Sequence, residues 1–210
     1  MKRTLFLALA AVIAALPARA AGADDELARA LKLQGDARRG ADAYVICQGC
    51  HRRDAAGRAD GSYPRLAGQH ASVLVKQLAD IRSGRRGNPK MLPFADHQAL
   101  SVEDLADIAA FLQQLPAPGA WGQGGGKDLA LVRVLYERDC ASCHGATGEG
   151  DAAKFIPRIA GQHYRYLQRE VRMIRSGERR NADPDMAKAI AGYSEDEIAA
   201  VADYASRLSR

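Results

Sequence analysis

Cys47-Gln48-Gly49-Cys50-His51 and, 93 residues further on, Cys140-Ala141-Ser142-Cys143-His144 contain all four cysteines of a 210-residue chain. Each is a Cys-x-x-Cys-His string, the pattern in which two thiols add across the vinyl groups of a haem and the adjoining histidine is held under the iron as its proximal ligand. With this composition one such string arises by chance about two times in a thousand. Two at equivalent places make coincidence negligible. A thioredoxin-like cysteine pair would follow a strand in a βαβ pattern, which the chain lacks, and needs no histidine after it. A zinc ribbon would have to bridge the 89 residues between the pairs and would leave both histidines unexplained. Two structural disulfides are the other alternative for an exported protein.

Working outward, the offset of 93 aligns most of the two halves. Pro64-Arg65-Leu66-Ala67-Gly68-Gln69-His70 falls on Pro157-Arg158-Ile159-Ala160-Gly161-Gln162-His163, Ile81-Arg82-Ser83-Gly84 on Ile174-Arg175-Ser176-Gly177, and Ser101 on Ser194. Two domains of one fold are the simplest account. Between them the Pro/Gly-rich stretch 117–126 has no apolar periodicity and reads as a linker, giving domains at 21–116 and 127–210.

Both halves read as helices joined by loops, an all-α fold. Asp36 to Cys47 and Asp128 to Cys140 carry helical spacing into the cysteine strings. Val73, Leu74, Gln77, Leu78 and Ile81 form an amphipathic stripe, as do Tyr166, Leu167, Val171 and Ile174. The last helix of each half opens on a capping box, Ser101 with Asp104 and Ser194 with Glu197. No alternating run is long enough for a sheet. Domains this small have thin apolar cores, and a buried macrocycle would fill them.

The first twenty residues read as a cleaved secretory signal. Lys2 and Arg3 precede the apolar run Leu5 to Leu16, and Ala18-Arg19-Ala20 forms the cleavage site. Export to the periplasm follows. The net charge of +5 and pI near 9.1 would suggest a polyanionic partner. Without Lys2, Arg3 and Arg19, however, the count is Lys+Arg 27 against Asp+Glu 25. Two haems then contribute about −2 to −4 through their propionates, so the holoprotein is about neutral to slightly acidic. Nucleic acid is not expected as a partner. Arg85-Arg86 and Arg179-Arg180, at matching positions, read as solvated turns or propionate neighbours.

The sixth iron ligand separates carrier from catalyst, because an iron with a second strong protein ligand tends to pass electrons and an open one can bind substrate. After the signal three methionines remain. Met173 falls in a helix opposite Asp80 and reads as a packing residue. Met91 and Met186 lie in equivalent loops and are the sixth-ligand candidates, opposite His51 and His144. His97, six residues after Met91 and without a counterpart, is the alternative for the first iron. His70 and His163 read as helix-start or haem-edge packing residues.

Taken together, the paired strings, the Pro-Arg-Leu/Ile-Ala-Gly-Gln segment after each and the Asn…Met loop before a capped final helix resemble the two-haem cytochrome c4 family of bacteria. The resemblance runs from about Asp36 to Leu208. It implies two tandem class I cytochrome c domains, each wrapped around one covalent haem c held by Cys47 and Cys50 or by Cys140 and Cys143, with the haems facing through a pseudo-twofold interface. It implies the axial pairs His51–Met91 and His144–Met186, and it makes Pro64 and Pro157 the source of a backbone carbonyl that orients each proximal histidine. Arg65 and Arg158 are expected, from their positions, beside the haem propionates. The chain departs from its own second half at Arg52, where Gly145 follows the other histidine string.

These readings imply a periplasmic electron carrier, not an enzyme, that passes electrons between a respiratory reductase complex and an acceptor such as a terminal oxidase. No small-molecule substrate is expected, and loose membrane association stays open. Two alternatives compete: an electron-transfer subunit of a dehydrogenase, such as the partner of a sulfide-oxidising flavoprotein, and a di-haem enzyme with one open iron, such as a peroxidase or thiosulfate dehydrogenase.

Overall fold

The computed structural model describes residues 18–116 and 122–209; most of the expected signal, residues 1–17, lies outside the described residues. The first half contains α1 (Ala18–Lys32), α2 (Ala37–Ala43), a 3-10 turn (Tyr44–Cys47), α3 (Gln48–His51), α4 (Ala71–Arg82), α5 (Leu92–Ala95) and α6 (Val102–Gln114). The second contains α7 (Leu129–Asp139), α8 (Ala141–His144), α9 (Tyr164–Arg175), α10 (Pro184–Ala189) and α11 (Glu195–Arg207). Among the described residues the only extended pairing is an isolated bridge between Asp151 and Ile156.

Both capping boxes form: the Ser101 hydroxyl accepts from the Asp104 N–H at 3.0 Å, and the Ser194 hydroxyl from the Glu197 N–H at 3.2 Å. Each satisfies orphan donors at a helix start and places carboxylates at the positive end of the helix dipole. In the first half α2 crosses α6 at Gly40, where a Cβ would sit 2.0 Å from the Asp107 carbonyl oxygen. Tyr44, Leu74, Val75, Leu105, Ile108 and Leu112 pack below that crossing as a single buried cluster. The second half divides its apolar residues between two clusters, one around Val132, Tyr193, Ile198 and Val201, the other around Leu167, Ala202 and Ala205.

The periodicity of the sequence did not disclose α1. Ala30 of this helix is 1% exposed, Leu27 packs on the first-half core, and Glu26 and Asp24 pair with Arg82 and Arg85 of the segment closing α4. Among the described residues the second half has no matching helix; the positions 93 beyond α1 fall in and around the linker. That linker is anchored at its second-half end, where the Asp203 carboxylate accepts from the Gly124 and Gly126 N–H groups at 2.9 and 2.6 Å.

The two halves meet through reciprocal hydrogen bonds made by the repeated Pro-Arg-x-Ala-Gly-Gln-His segment. The Gln162 side chain accepts from the Arg65 N–H and donates to the Arg65 carbonyl, both at 2.9 Å. Gln69 does the same to Arg158, again with both bonds at 2.9 Å. The ring Nε2 of His163 donates to the Ala56 carbonyl at 2.8 Å, and that of His70 to the Glu149 carbonyl at 2.7 Å. Every one of these pairs maps onto its mate by the offset of 93, so the internal repeat is a pseudo-twofold axis in space. His70 and His163 do precede α4 and α9, as expected, but their rings lock one domain to the other. Arg86 and Arg179 also differ from expectation. They are not solvated: Arg86 donates across the same interface to Glu170 at 3.0 Å and Arg179 to Gln77 at 3.2 Å, while within their own halves Arg86 donates to Gln77 at 2.8 Å and Arg179 to Glu170 at 2.9 Å.

Candidate haem-binding sites

Each cysteine string closes into one helical turn, α3 or α8, directly after the helix that leads into it. A buried tyrosine ties that helix to the residue after the histidine: the Tyr44 hydroxyl donates to the Arg52 carbonyl at 3.0 Å and the Tyr136 hydroxyl to the Gly145 carbonyl at 2.8 Å. Tyr44 stands three residues before its first cysteine and Tyr136 four, so the 3-10 turn absorbs a one-residue difference that the offset of 93 hides. Both residues after the histidine have positive φ, 70° at Arg52 and 81° at Gly145. Glycine adopts this conformation without penalty, whereas at Arg52, with ψ 162°, it is strained.

His51 and His144 are buried, at 4% and 8% exposure. Their Nδ1 atoms lie 3.1 Å from the Pro64 and Pro157 carbonyl oxygens. A carbonyl only accepts, so Nδ1 carries the proton and Nε2 keeps its lone pair, the form a metal ligand requires. Burial lowers both imidazole pKa values, partly opposed by that carbonyl bond, and favours the neutral ring. The four cysteines are not paired as disulfides. Burial pushes the Cys47 and Cys140 thiols up to about 11, the reverse of the activation seen in redox-active cysteine pairs.

This donor set fits covalent haem: two thiols and a neutral imidazole issue from one turn, twice, and the divided core of the second half suits a domain that carries apolar mass of its own. Met91 stands at the N-cap of α5 and Met186 in the first turn of α10, both half-buried; Met186 packs against the Val132–Tyr193–Ile198 cluster. His97 is turned to the surface. Its side chain is 66% exposed, with Nε2 3.7 Å from Glu26 and Nδ1 3.3 Å from the Arg82 guanidinium. Met173 is half-buried on α9. Arg65 is buried at the domain interface, where its guanidinium lies against Gly161 of the other half, and Arg158 is half-buried at the mirror position. Sequence reasoning missed Gln69, Gln162, Arg86 and Arg179 as interface residues; the signal was present in the repetition of Gln-His and of the arginine pairs, but repetition does not say what a residue faces.

Two helical domains of this kind, each built on a Cys-x-x-Cys-His turn and a proline-oriented histidine, define a tandem c-type cytochrome. The cytochrome c family model matches residues 37–116 and 129–209, and the chain belongs to that family, in its two-haem cytochrome c4 branch. It is 42% identical over 179 residues to the thiosulfate dehydrogenase electron acceptor of Stutzerimonas stutzeri (strain A1501), covering 80% of this chain and 81% of that protein. It is 34% identical over 197 residues to cytochrome c4 of Azotobacter vinelandii, covering 83% and 90%. Among solved structures, reduced recombinant cytochrome c4 from Pseudomonas stutzeri matches with a TM-score of 0.74 at 29% identity, over 83% of this chain and 100% of that one. Thiosulfate dehydrogenase (TsdBA) from Marichromatium purpuratum matches with a TM-score of 0.66 at 36% identity, over 86% of this chain but 39% of that longer chain.

The protein is therefore a di-haem electron carrier with two covalently bound haem c groups, and its partners are redox proteins. Among the described residues no helix is long and apolar enough to cross a membrane.

Proposed function

We propose that this carrier works in the periplasm, after removal of residues 1–20, as the electron acceptor of a thiosulfate-oxidising dehydrogenase, and that it delivers the electrons to a downstream acceptor such as a terminal oxidase. The observation that carries this reading is the 42% identity to a protein named for that role, against 34% to a cytochrome c4 proper over a similar share of the chain. The match to part of a longer chain named as the dehydrogenase itself supports it.

Haem supplies one-electron chemistry at each site, so one chain accepts two electrons. The protein's part is to hold that chemistry still. Cys47 and Cys50, or Cys140 and Cys143, would provide the thioether links, and His51 and His144 the proximal nitrogens, each kept in one tautomer by the Pro64 or Pro157 carbonyl. Met91 and Met186 would provide the second protein ligand at each iron, a donor set suited to electron passage rather than substrate binding. Arg65 and Arg158, at mirror positions of the domain interface, would offset the negative charge of the propionates. The Gln69 and Gln162 bonds hold the domains in one relation, which keeps the path between the two sites constant.

Stopped-flow mixing of the oxidised holoprotein tests the reading. Rapid reduction by a thiosulfate dehydrogenase with thiosulfate, and none by thiosulfate alone, is the expected result. Reduction by a quinol-driven reductase complex and not by the dehydrogenase would transfer the role to a respiratory carrier, and thiosulfate oxidation by the chain on its own would make it an enzyme.

A further inference from the structure

At the end of α4, Arg82 is a buried arginine, its side chain 1% exposed, that binds no part of the haem-bearing turn. Its guanidinium instead gathers the segment between Met91 and α6. Nε donates to the Ala95 carbonyl at 2.5 Å and Nη2 to the Leu100 carbonyl at 2.9 Å. Ala95 in turn donates its N–H to the Met91 carbonyl at 3.0 Å. One hydrogen bond thus separates the residue held by Arg82 from the methionine. The remaining face of the guanidinium is closed by the carboxylate of Glu26, on α1, with His97 beside both.

The second half shows what this arrangement is for. Arg175, the equivalent of Arg82, donates to the Tyr193 carbonyl at 2.5 Å, and Tyr193 is the equivalent of Leu100. Its carboxylate partner is Glu195, the first residue of α11, which Arg172 also holds at 2.5 Å. The residue matching Glu195 in the first half is Val102. The first half therefore lacks a local carboxylate for its loop arginine, and it has an extra helix, without a counterpart among the described residues of the second half, that brings one.

We propose that α1 is a brace for the sixth-ligand loop of the first haem, with Glu26 and Arg82 as positioning residues that hold the Met91 segment in its ligating conformation. The proposal rests on Met91 being that ligand. A charge-assisted, buried contact of this type is one of the stronger side-chain hydrogen bonds, and without the carboxylate the guanidinium would be a buried charge facing two carbonyls. The consequence is an asymmetry between domains: retention of Met91 depends on the N-terminal helix α1, and retention of Met186 on residues of α9 and α11 in its own domain.

The test uses the ferric full-length holoprotein and the far-red sulfur-to-iron band, followed through a guanidinium chloride titration. Met91→Ala should remove about half of the band, since two methionine-ligated irons contribute to it. Glu26→Gln should leave the full band in buffer but shift the first-haem half to lower denaturant, by about tenfold in its equilibrium constant, equivalent to about 1.4 kcal/mol. Arg82→Lys should shift the same half, Glu195→Gln the other half, and Glu26→Asp should restore part of the loss. Asp24→Asn, which removes the neighbouring α1 pairing with Arg85 and touches nothing in the loop, should shift neither. An unshifted band in Glu26→Gln, or an equal shift in Asp24→Asn, overturns the brace with the Met91 reading intact. A full band in Met91→Ala overturns it at the ligand instead.

Discussion

Gln162→Ala should destabilise this protein far more than its mirror image, Gln69→Ala, although the two glutamines make the same bonds. Gln162 is 7% exposed and serves the N–H and C=O of Arg65, itself 6% exposed. It also accepts from the His163 N–H at 3.0 Å, and His163 is fully buried. Truncation to alanine leaves these main-chain groups buried, without the amide that satisfied them. Each such group costs about 1–3 kcal/mol, and allowing for partial relaxation the loss should be about 3 kcal/mol. Gln69 and its partner Arg158 are only half-buried, and water can replace the lost amide at a cost of about 1 kcal/mol. Guanidinium unfolding of the holoprotein, followed by circular dichroism in the haem region, measures both variants. Gln162→Ala should also separate the transitions of the two domains, because the bonds it removes run between them. Equal losses in the two variants, or a loss below about 1 kcal/mol for Gln162→Ala with a single transition retained, would refute the burial argument.

Other consequences are open to measurement. Burial alone would raise the pKa of Asp80, but hydrogen bonds from Asn181, Lys76 and Arg85 and the Lys76 charge outweigh it and hold the carboxyl below its ordinary 3.8. A folded pKa below the unfolded one gives stability that is complete above the unfolded value and lost as pH falls through the folded one; Asp80→Asn should therefore flatten the acid limb of stability below about pH 5, and an unchanged slope would count against the pairing. Arg52→Gly should stabilise the first domain by about 1 kcal/mol in thermal or denaturant unfolding, because it relieves a positive-φ residue at the position where the second domain already has glycine. A destabilised Arg52→Gly variant would show that the arginine side chain earns its place through its contacts.

Much of this molecule was legible in the sequence because its chemistry is local. Haem attachment needs two thiols and a histidine within one turn, so five consecutive residues suffice to announce it, and the capping boxes at Ser101 and Ser194 are equally short-range. The proline carbonyls that orient His51 and His144 lie 13 residues away, yet they too belong to the repeated loop and recur with it. The tandem repeat then implied two domains and a linker. What the sequence left hidden was every role that depends on which surfaces meet. Gln69, Gln162, His70 and His163 repeat in the chain as plainly as the cysteines do, but their partners are 79 to 107 residues away and on the opposite half. Arg86 and Arg179 look like solvent-facing cations until docking buries them around Glu170 and Gln77. Helix α1 escaped notice because it buries only a narrow edge around Leu27 and Ala30, too few apolar positions to give a periodic signal. Covalent spacing along the backbone was thus enough to determine the cofactor and the repeat. Only the packing of one half on the other, and of α1 on both α4 and α6, decided which polar groups hold the two redox sites in a fixed relation, because those bonds exist only once distant surfaces have excluded the water between them.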